Sequence, residues 1–132
     1  MSSRSQGTWP ITAKLFLISG ALSACASVVF SAAFAHLPVF SAGIPPMVQT
    51  ALTQQQFHSL GLVGVGLSLG LLGASRCLIG AGWLMLAGLL LFSLNIYARH
   101  VFGVDTFRAA VPWGGGAWIL AWLLAAVGFA RR

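Results

Sequence analysis

A chain of 132 residues is long enough for one domain. It is 58% hydrophobic and only 6% charged, against roughly 25% charge in a soluble domain, so a water-facing surface cannot be built from it. The net charge of +6 sets seven Lys and Arg against Asp105 alone. A single acid excludes a carboxylate pair for general acid–base work, a Ser-His-Asp triad drawn from separate elements, an all-oxygen calcium or magnesium cage, and a proton relay built on intramembrane carboxylates. The basic residues are scattered between apolar runs, which fits a charge that orients a membrane protein better than a surface for nucleic acid.

Residues 1–12 read as a short polar tail carrying Arg4 and an interfacial Trp9-Pro10, with Lys14 following at the membrane edge. The first predicted span is 15–35, about twenty apolar residues, which is enough to cover the hydrocarbon core. Ser19, Ser23, Ser27 and Ser31 recur every four residues within it and lay a ridge of small side chains along one side of a helix. Gly20, Ala24 and Ala32 widen that ridge. In lipid, small residues at this spacing let a second helix approach closely, and packing holds the pair. Leu22-Ser23-Ala24-Cys25 matches a bacterial lipoprotein cleavage box. The apolar run continues beyond it to Phe34, so an uncleaved span is the expectation.

Residues 38–56 form an uncharged connection broken by Pro38, Gly43, Pro45 and Pro46. It is expected to start as an irregular loop, and 47–56 fits a short interfacial helix. The second span is 57–74. Ser59, Gly66, Gly70 and Gly73 share one face of it at about 100° per residue, and Gly66-xxx-Gly70 is a small-xxx-small pair. That face is the expected seat of the serine ridge. Ser75-Arg76-Cys77 is a very short turn, which makes the second and third spans antiparallel neighbours. The third span is 78–98, with Ser93, Asn95 and Tyr97 near its end, and Asn95 is expected to bond across helices. A charged loop covers 99–111. The fourth span, 112–130, opens on Pro112, a residue suited to a first helical position. Trp113 and Trp118 suit the interfacial belt, Trp122 a buried or lipid-facing place, and Arg131 and Arg132 end the chain.

The expected fold is therefore an all-α integral membrane protein, with four transmembrane helices in a compact antiparallel bundle. Arg4, Lys14, Arg76, Arg131 and Arg132 then share one side, and Arg99 and Arg108 lie on the other. The positive-inside rule places both termini in the cytoplasm. Cys25 falls near mid-bilayer and Cys77 at the inner edge, too far apart for a disulfide, so both read as reduced packing residues.

His36, His58 and His100 all fall at the outer interface in this topology. Together, and with Met47 and Asn95 near by, they are a candidate polar or copper/zinc site; a haem bridged by His36 and His58 is a weaker version. No local pattern such as His-x-His supports either, and capping of helix ends or contact with head groups is the plainer account. No metal or cofactor is expected. Gln54-Gln55-Gln56 beside His58 reads as a tie between the long loop and the start of its helix.

Ile18-Ser19-Gly20-Ala21-Leu22-Ser23-Ala24, Ala33-Phe34-Ala35-His36, Gln56-Phe57-His58-Ser59-Leu60, Leu91-Phe92-Ser93 with Tyr97, and Pro112-Trp113-Gly114-Gly115 follow one another in that order. This series resembles the YgdD-like small four-helix bacterial inner-membrane family catalogued as domain of unknown function 423. The resemblance covers about residues 20–126. The chain departs from the family pattern at Phe34-Ala35-His36-Leu37, where a Gly usually adjoins the His, and at Gln55 and Leu94. The resemblance implies a fold and a place in the bacterial inner membrane, and brings no activity, substrate or cofactor. The expected function is thus non-enzymatic: a membrane protein that packs against itself or serves as an accessory subunit in the lipid bilayer, without nucleic acid. Small-solute or metal binding at the histidines is the alternative.

Overall fold

The computed structural model describes residues 7–132, so the predicted tail around Arg4 lies outside the described residues. From Ile11 onward nearly every residue is helical, because a backbone in hydrocarbon must satisfy its polar groups within its own segment. Helix α1 (Ile11–Phe34) has 24 residues and is about 36 Å long at ~1.5 Å per residue. It starts earlier than the predicted first span and runs unbroken through Cys25, which is exposed and free.

Helix α2 (Pro46–Leu72) differs most from expectation, being one continuous helix of 27 residues. Pro46 lies in its first turn, where a missing N–H leaves no bond unmade. Beyond it Val48, Ala51, Leu52, Gln55, Ser59 and Leu62 are buried at helical spacing. That stripe runs without a break from the predicted connection into the predicted span, so the helix does too. Between α1 and α2 only 35–45 lies outside these helices, with a tight turn at Pro38–Phe40.

The third rod is built of α3 (Arg76–Gly88), a π-helical segment over Leu89–Leu94 and α4 (Asn95–Phe102). The Ser75 hydroxyl accepts from the Leu78 amide at 3.3 Å and caps its start. Gly103, at φ +69°, ends it in the left-handed conformation. Helix α5 (Val111–Ala130) completes the chain. The first rod, the third rod and 108–130 are each long and apolar enough to cross a membrane. Helix α2 matches them in length and is diluted by its Gln and His residues.

The rods pack chiefly as two antiparallel pairs, α1 with α2 and α3 with α5. Contacts of α2 with α3 and with the π segment join the pairs. The register of α1 on α2 is set by close approaches at glycine. Trp9 lies on Gly70, Ala13 and Leu17 on Gly66, and Gly20 on the Ser59 carbonyl and Leu62. The glycine face of α2 therefore seats the first turns of α1 and not the serine ridge. The antiparallel register carries the serines past Gly66 toward Ser59 and Gln55. Ser19 and Ser27 bond back to their own helix, at the Phe16 and Ala24 carbonyls. Ser31 is exposed. Gly73 sits at φ +89° just past the end of α2, closing the helix instead of packing a neighbour.

Two apolar clusters form the core. One holds Phe16, Leu62, Leu69, Leu78 and Met85, and the other Phe34, Phe40, Val48, Ile96 and Tyr97. Trp118, expected at the interface, is buried in the first. At the end of the bundle that carries Trp9, the Arg132 guanidinium donates to the Leu72 carbonyl at 2.7 Å and to that of Gly73. Both described chain ends thus lie there, with Lys14, Arg76 and Arg131. At the other end Arg99 pairs with Asp105 at 3.4 Å across a half-exposed surface.

A Cβ at Gly82 would overlap the Phe16 ring and one at Gly88 the Trp118 indole, whereas one at Gly64 would meet nothing within 4 Å. Gly82→Ala and Gly88→Ala are expected to cost about 1–3 kcal/mol each as overpacked sites. Gly64→Ala should stay within about 0.5 kcal/mol. Reversible unfolding in detergent micelles measures all three.

Candidate functional site

The polar side chains inside the bundle converge on Gln55. Three consecutive glutamines at about 100° intervals cover most of a helix circumference, so one of them must face inward. Gln55 does, at 3% exposure. Its carboxamide nitrogen donates to the Ser23 carbonyl at 3.1 Å and to Ser23 Oγ at 3.4 Å. Its oxygen accepts from the Tyr97 hydroxyl at 2.7 Å. Ser59 Oγ donates to the Gln55 carbonyl at 2.6 Å and shares a 2.7 Å hydrogen bond with Ser23 Oγ. One residue of α2 thereby ties α1 to α4. Of the four ridge serines, Ser23 is the one that bonds across helices. The predicted loop-to-helix tie at the glutamines is in fact this interhelical knot.

The π segment supplies a second set of contacts. A π turn carries an extra residue, widens the helix and frequently marks functional sites. Here it turns Ser93 inward, where the hydroxyl donates to the Ala51 carbonyl at 2.9 Å. Phe92 is brought to 5.0 Å from Trp118. Just before the segment, the Met85 carbonyl accepts the Trp118 indole N–H at 3.0 Å. Gly88 leaves the room that the indole occupies.

His58 is not at the outer interface. It lies twelve residues past Pro46, about 18 Å along the helix at ~1.5 Å per residue, and is 3% exposed. The ring stacks on Trp118 at 4.0 Å and 7°. Nδ1 is 2.8 Å from the Gln54 carbonyl, and Nε2 is 3.1 Å from the Trp122 indole nitrogen. An indole can only donate. Nε2 is therefore the acceptor, Nδ1 carries the proton and the imidazole is neutral. Both nitrogens are engaged, which leaves no lone pair for a metal.

His36 is exposed in the turn after α1, and His100 bonds the Ile96 carbonyl of its own helix at 3.0 Å. Asn95 donates to the Phe107 carbonyl of the adjoining loop at 2.5 Å and not to another helix. The structure therefore does not bring His36, His58, His100 and Asn95 together. Among the described residues no three His, Cys, Asp or Glu side chains could hold a metal ion. Gln55, Tyr97, Trp118 and Trp122 are the residues that sequence reasoning missed. Helical phase could have singled out Gln55; nothing local could have paired Trp122 with His58 across 64 positions.

A cleft runs between α2 and α5. Its outer part, about 350 Å³, is lined by Gln54, His58, Phe92, Trp118 and Trp122 among others. Its inner part, about 400 Å³, is lined by Leu60, Gly64, Ser68, Ala125 and Phe129. Phe57 and Trp122, 5.3 Å apart, stand between the two parts. A second cleft of about 520 Å³ opens between α1 and the third rod, over Ser23 and Gln55.

Long apolar helices around a satisfied polar centre define this molecule as a helical membrane bundle. Residues 31–115 match the family described as "Protein of unknown function (DUF423)", and the chain belongs to that family. It is 33% identical over 118 residues to the UPF0382 membrane protein YwdK of Bacillus subtilis, covering 86% of this chain and 94% of that one. It is 34% identical over 113 residues to a UPF0382 membrane protein of Staphylococcus epidermidis, covering 84% and 91%. It is 28% identical over 126 residues to the UPF0382 inner membrane protein YgdD of Escherichia coli, covering 92% and 93%. No solved structure matches. This is a protein of the bacterial inner membrane, from a family to which no activity is attached.

Tyr97→Phe removes the donor to Gln55 and should lower the unfolding free energy in micelles by about 1 kcal/mol. Gln55→Leu should cost more, because it strands the buried Tyr97 hydroxyl. Equal stability of both variants and wild type would show that the knot holds nothing together.

Proposed function

We propose that this chain is a non-enzymatic, four-span membrane subunit that assembles with a further transmembrane helix, from a second copy or another membrane protein. The observation that carries this reading is the inner part of the α2–α5 cleft. The glycines at the other helix contacts are filled: Gly20, Gly66, Gly70, Gly82 and Gly88 each have a neighbour where a Cβ would stand. Gly64 faces open space in the cleft. The lining repeats every seven residues, with Phe57 and Gly64, Gly61 and Ser68 on α2 and Trp122 and Phe129 on α5. Seven-residue spacing is the period at which one helix lies along another. The helix-packing role expected of Gly66 and Gly70 is then served inside one chain, and assembly falls to Gly64 and Ser68.

The non-enzymatic part rests on chemistry. The lone acid, Asp105, is paired with Arg99 in a loop, and the buried imidazole of His58 is bonded at both nitrogens. Those engaged nitrogens also weigh against the histidine-based metal or solute alternative. Crossing by all four rods is supported by the length of α2 and by the inward turn of Gln55 and His58. The basic end, with Lys14, Arg76, Arg131 and Arg132, is then cytoplasmic.

Extraction in a mild detergent should yield a complex larger than one chain. Gly64→Leu should reduce it to a monomer whose unfolding midpoint is unchanged. A monomeric wild type with no stoichiometric partner would overturn the reading. For topology, in a background with Cys25→Ser and Cys77→Ser, Ser41→Cys should react with an impermeant maleimide on intact cells, and Ala74→Cys only after permeabilisation. The reverse pattern would invert the orientation.

A further inference from the structure

We propose that the outer part of the α2–α5 cleft binds a small, uncharged, planar aromatic molecule bearing a carbonyl group, which enters from the outer leaflet. This site is separate from the assembly face, since Phe57 and Trp122 divide the cleft. Its volume of about 350 Å³ lies within the ~300–1,000 Å³ of small-molecule sites, which favour spaces between the helices of bundles.

Shape comes from the rings. Phe57, His58, Phe92, Trp118 and Trp122 line the space. They are held by one another and not by flexible stems: His58 on Trp118 at 4.0 Å, Phe92 on Trp118 at 5.0 Å and Phe57 on Trp122 at 5.3 Å. The three hydrogen bonds of His58 and Trp118, to Gln54, Trp122 and Met85, fix the walls further. Walls of this kind receive a planar ring by offset stacking or edge contact. On the α5 side Gly115 leaves space, as a Cβ there would meet nothing within 4 Å.

Charge is excluded by the same residues. The lining contains no Lys, Arg, Asp or Glu, and His58 is neutral because Nε2 accepts from an indole. An ion in this cleft would give up its hydration and find no partner. Polarity is confined to one edge. Thr50, Gln54 and His58 form an i, i+4, i+8 stripe on α2, so they lie one above another on one face. The nitrogens of His58 are spent, and Gln54 and Thr50, nearer the outer end, carry the donors. A carbonyl at one end of an aromatic body meets these donors while its rings fill the aromatic floor.

The test uses the whole protein in neutral-detergent micelles, with 2-acetylnaphthalene as the uncharged probe and 2-naphthoate as its near-isosteric anion. Equilibrium dialysis against protein-free micelles should give saturable binding of 2-acetylnaphthalene at about one per chain. The naphthoate should bind at least tenfold more weakly. Gly115→Leu, which fills the cleft from its open side, should weaken binding at least tenfold, and Gln54→Leu several-fold. Should Gly115→Leu not fold, Ile119→Trp on the exposed wall of the same cleft carries the same expectation. Non-saturable partitioning, equal binding of the anion, or affinity unchanged in the cleft-filling variant would each overturn the proposal. The oligomeric state is read on the same samples, so loss of assembly without loss of binding separates this site from the inner cleft.

Discussion

A carboxamide buried inside an apolar bundle finds no water, so each of its polar atoms must be met by protein or left at a cost of several kcal/mol. Gln55 imposes that constraint on this fold. Its nitrogen takes Ser23 on α1 and its oxygen takes Tyr97 on α4. Sliding α1 along α2 would break the first bond, and rotating the third rod would break the second. The register seen at the glycines, Trp9 on Gly70 and Ala13 on Gly66, agrees with the register the amide demands. Apolar packing in lipid gives little directional preference. The polar knot supplies that preference here, with Ser59 closing it against Ser23.

The flank formed by α5 is attached by different means. The π segment of the third rod brings Phe92 against Trp118, and the nearby Met85 carbonyl receives the Trp118 indole. Trp118 then carries His58 on its face, and Trp122 donates to the far nitrogen of that imidazole. A buried histidine, a pair of tryptophans and a widened helical turn thus act as one unit. Between α2 and α5 these aromatic bridges stand in place of close helix contact, which is why a cleft survives there. Between α1 and the third rod the same holds, with Phe16 against Trp83 and Phe30 against Tyr97.

Much of the architecture was legible along the chain. Apolar runs of about twenty residues mark membrane helices. The chain leaves helix at 73–75 and 103–107, beside the short turn Ser75-Arg76-Cys77 and within the charged stretch 99–111. Helix α2 was the hard case. Residues 47–56 carry Gln49, Thr50, Thr53, Gln54 and Gln56 and read by composition as a short interfacial helix apart from the span. The buried stripe of Val48, Ala51, Leu52 and Gln55 shows why this stretch is continuous with the span, and that stripe is visible as spacing once polar residues are allowed to face the core. The histidines went astray for the same reason. Placing the start of the helix at residue 57 put His58 at a surface, and moving it to Pro46 puts His58 about 18 Å along the helix at ~1.5 Å per residue.

Sequence alone determined the class of solvent and the helical character, because each follows from composition and local periodicity. It determined too that few catalytic arrangements were open, since one acid cannot serve as two. Only the tertiary structure decided which small residues touch which. The serine ridge looked complete on its own helix, yet antiparallel register carries Ser23 to a partner and leaves Ser31 exposed. Only the tertiary structure decided that His58 would be bonded at both nitrogens, because its partners Gln54 and Trp122 come from one turn away and from another helix. Position along a helix is a local property; the partner across a bundle is set by how rigid rods of unequal shape pack together.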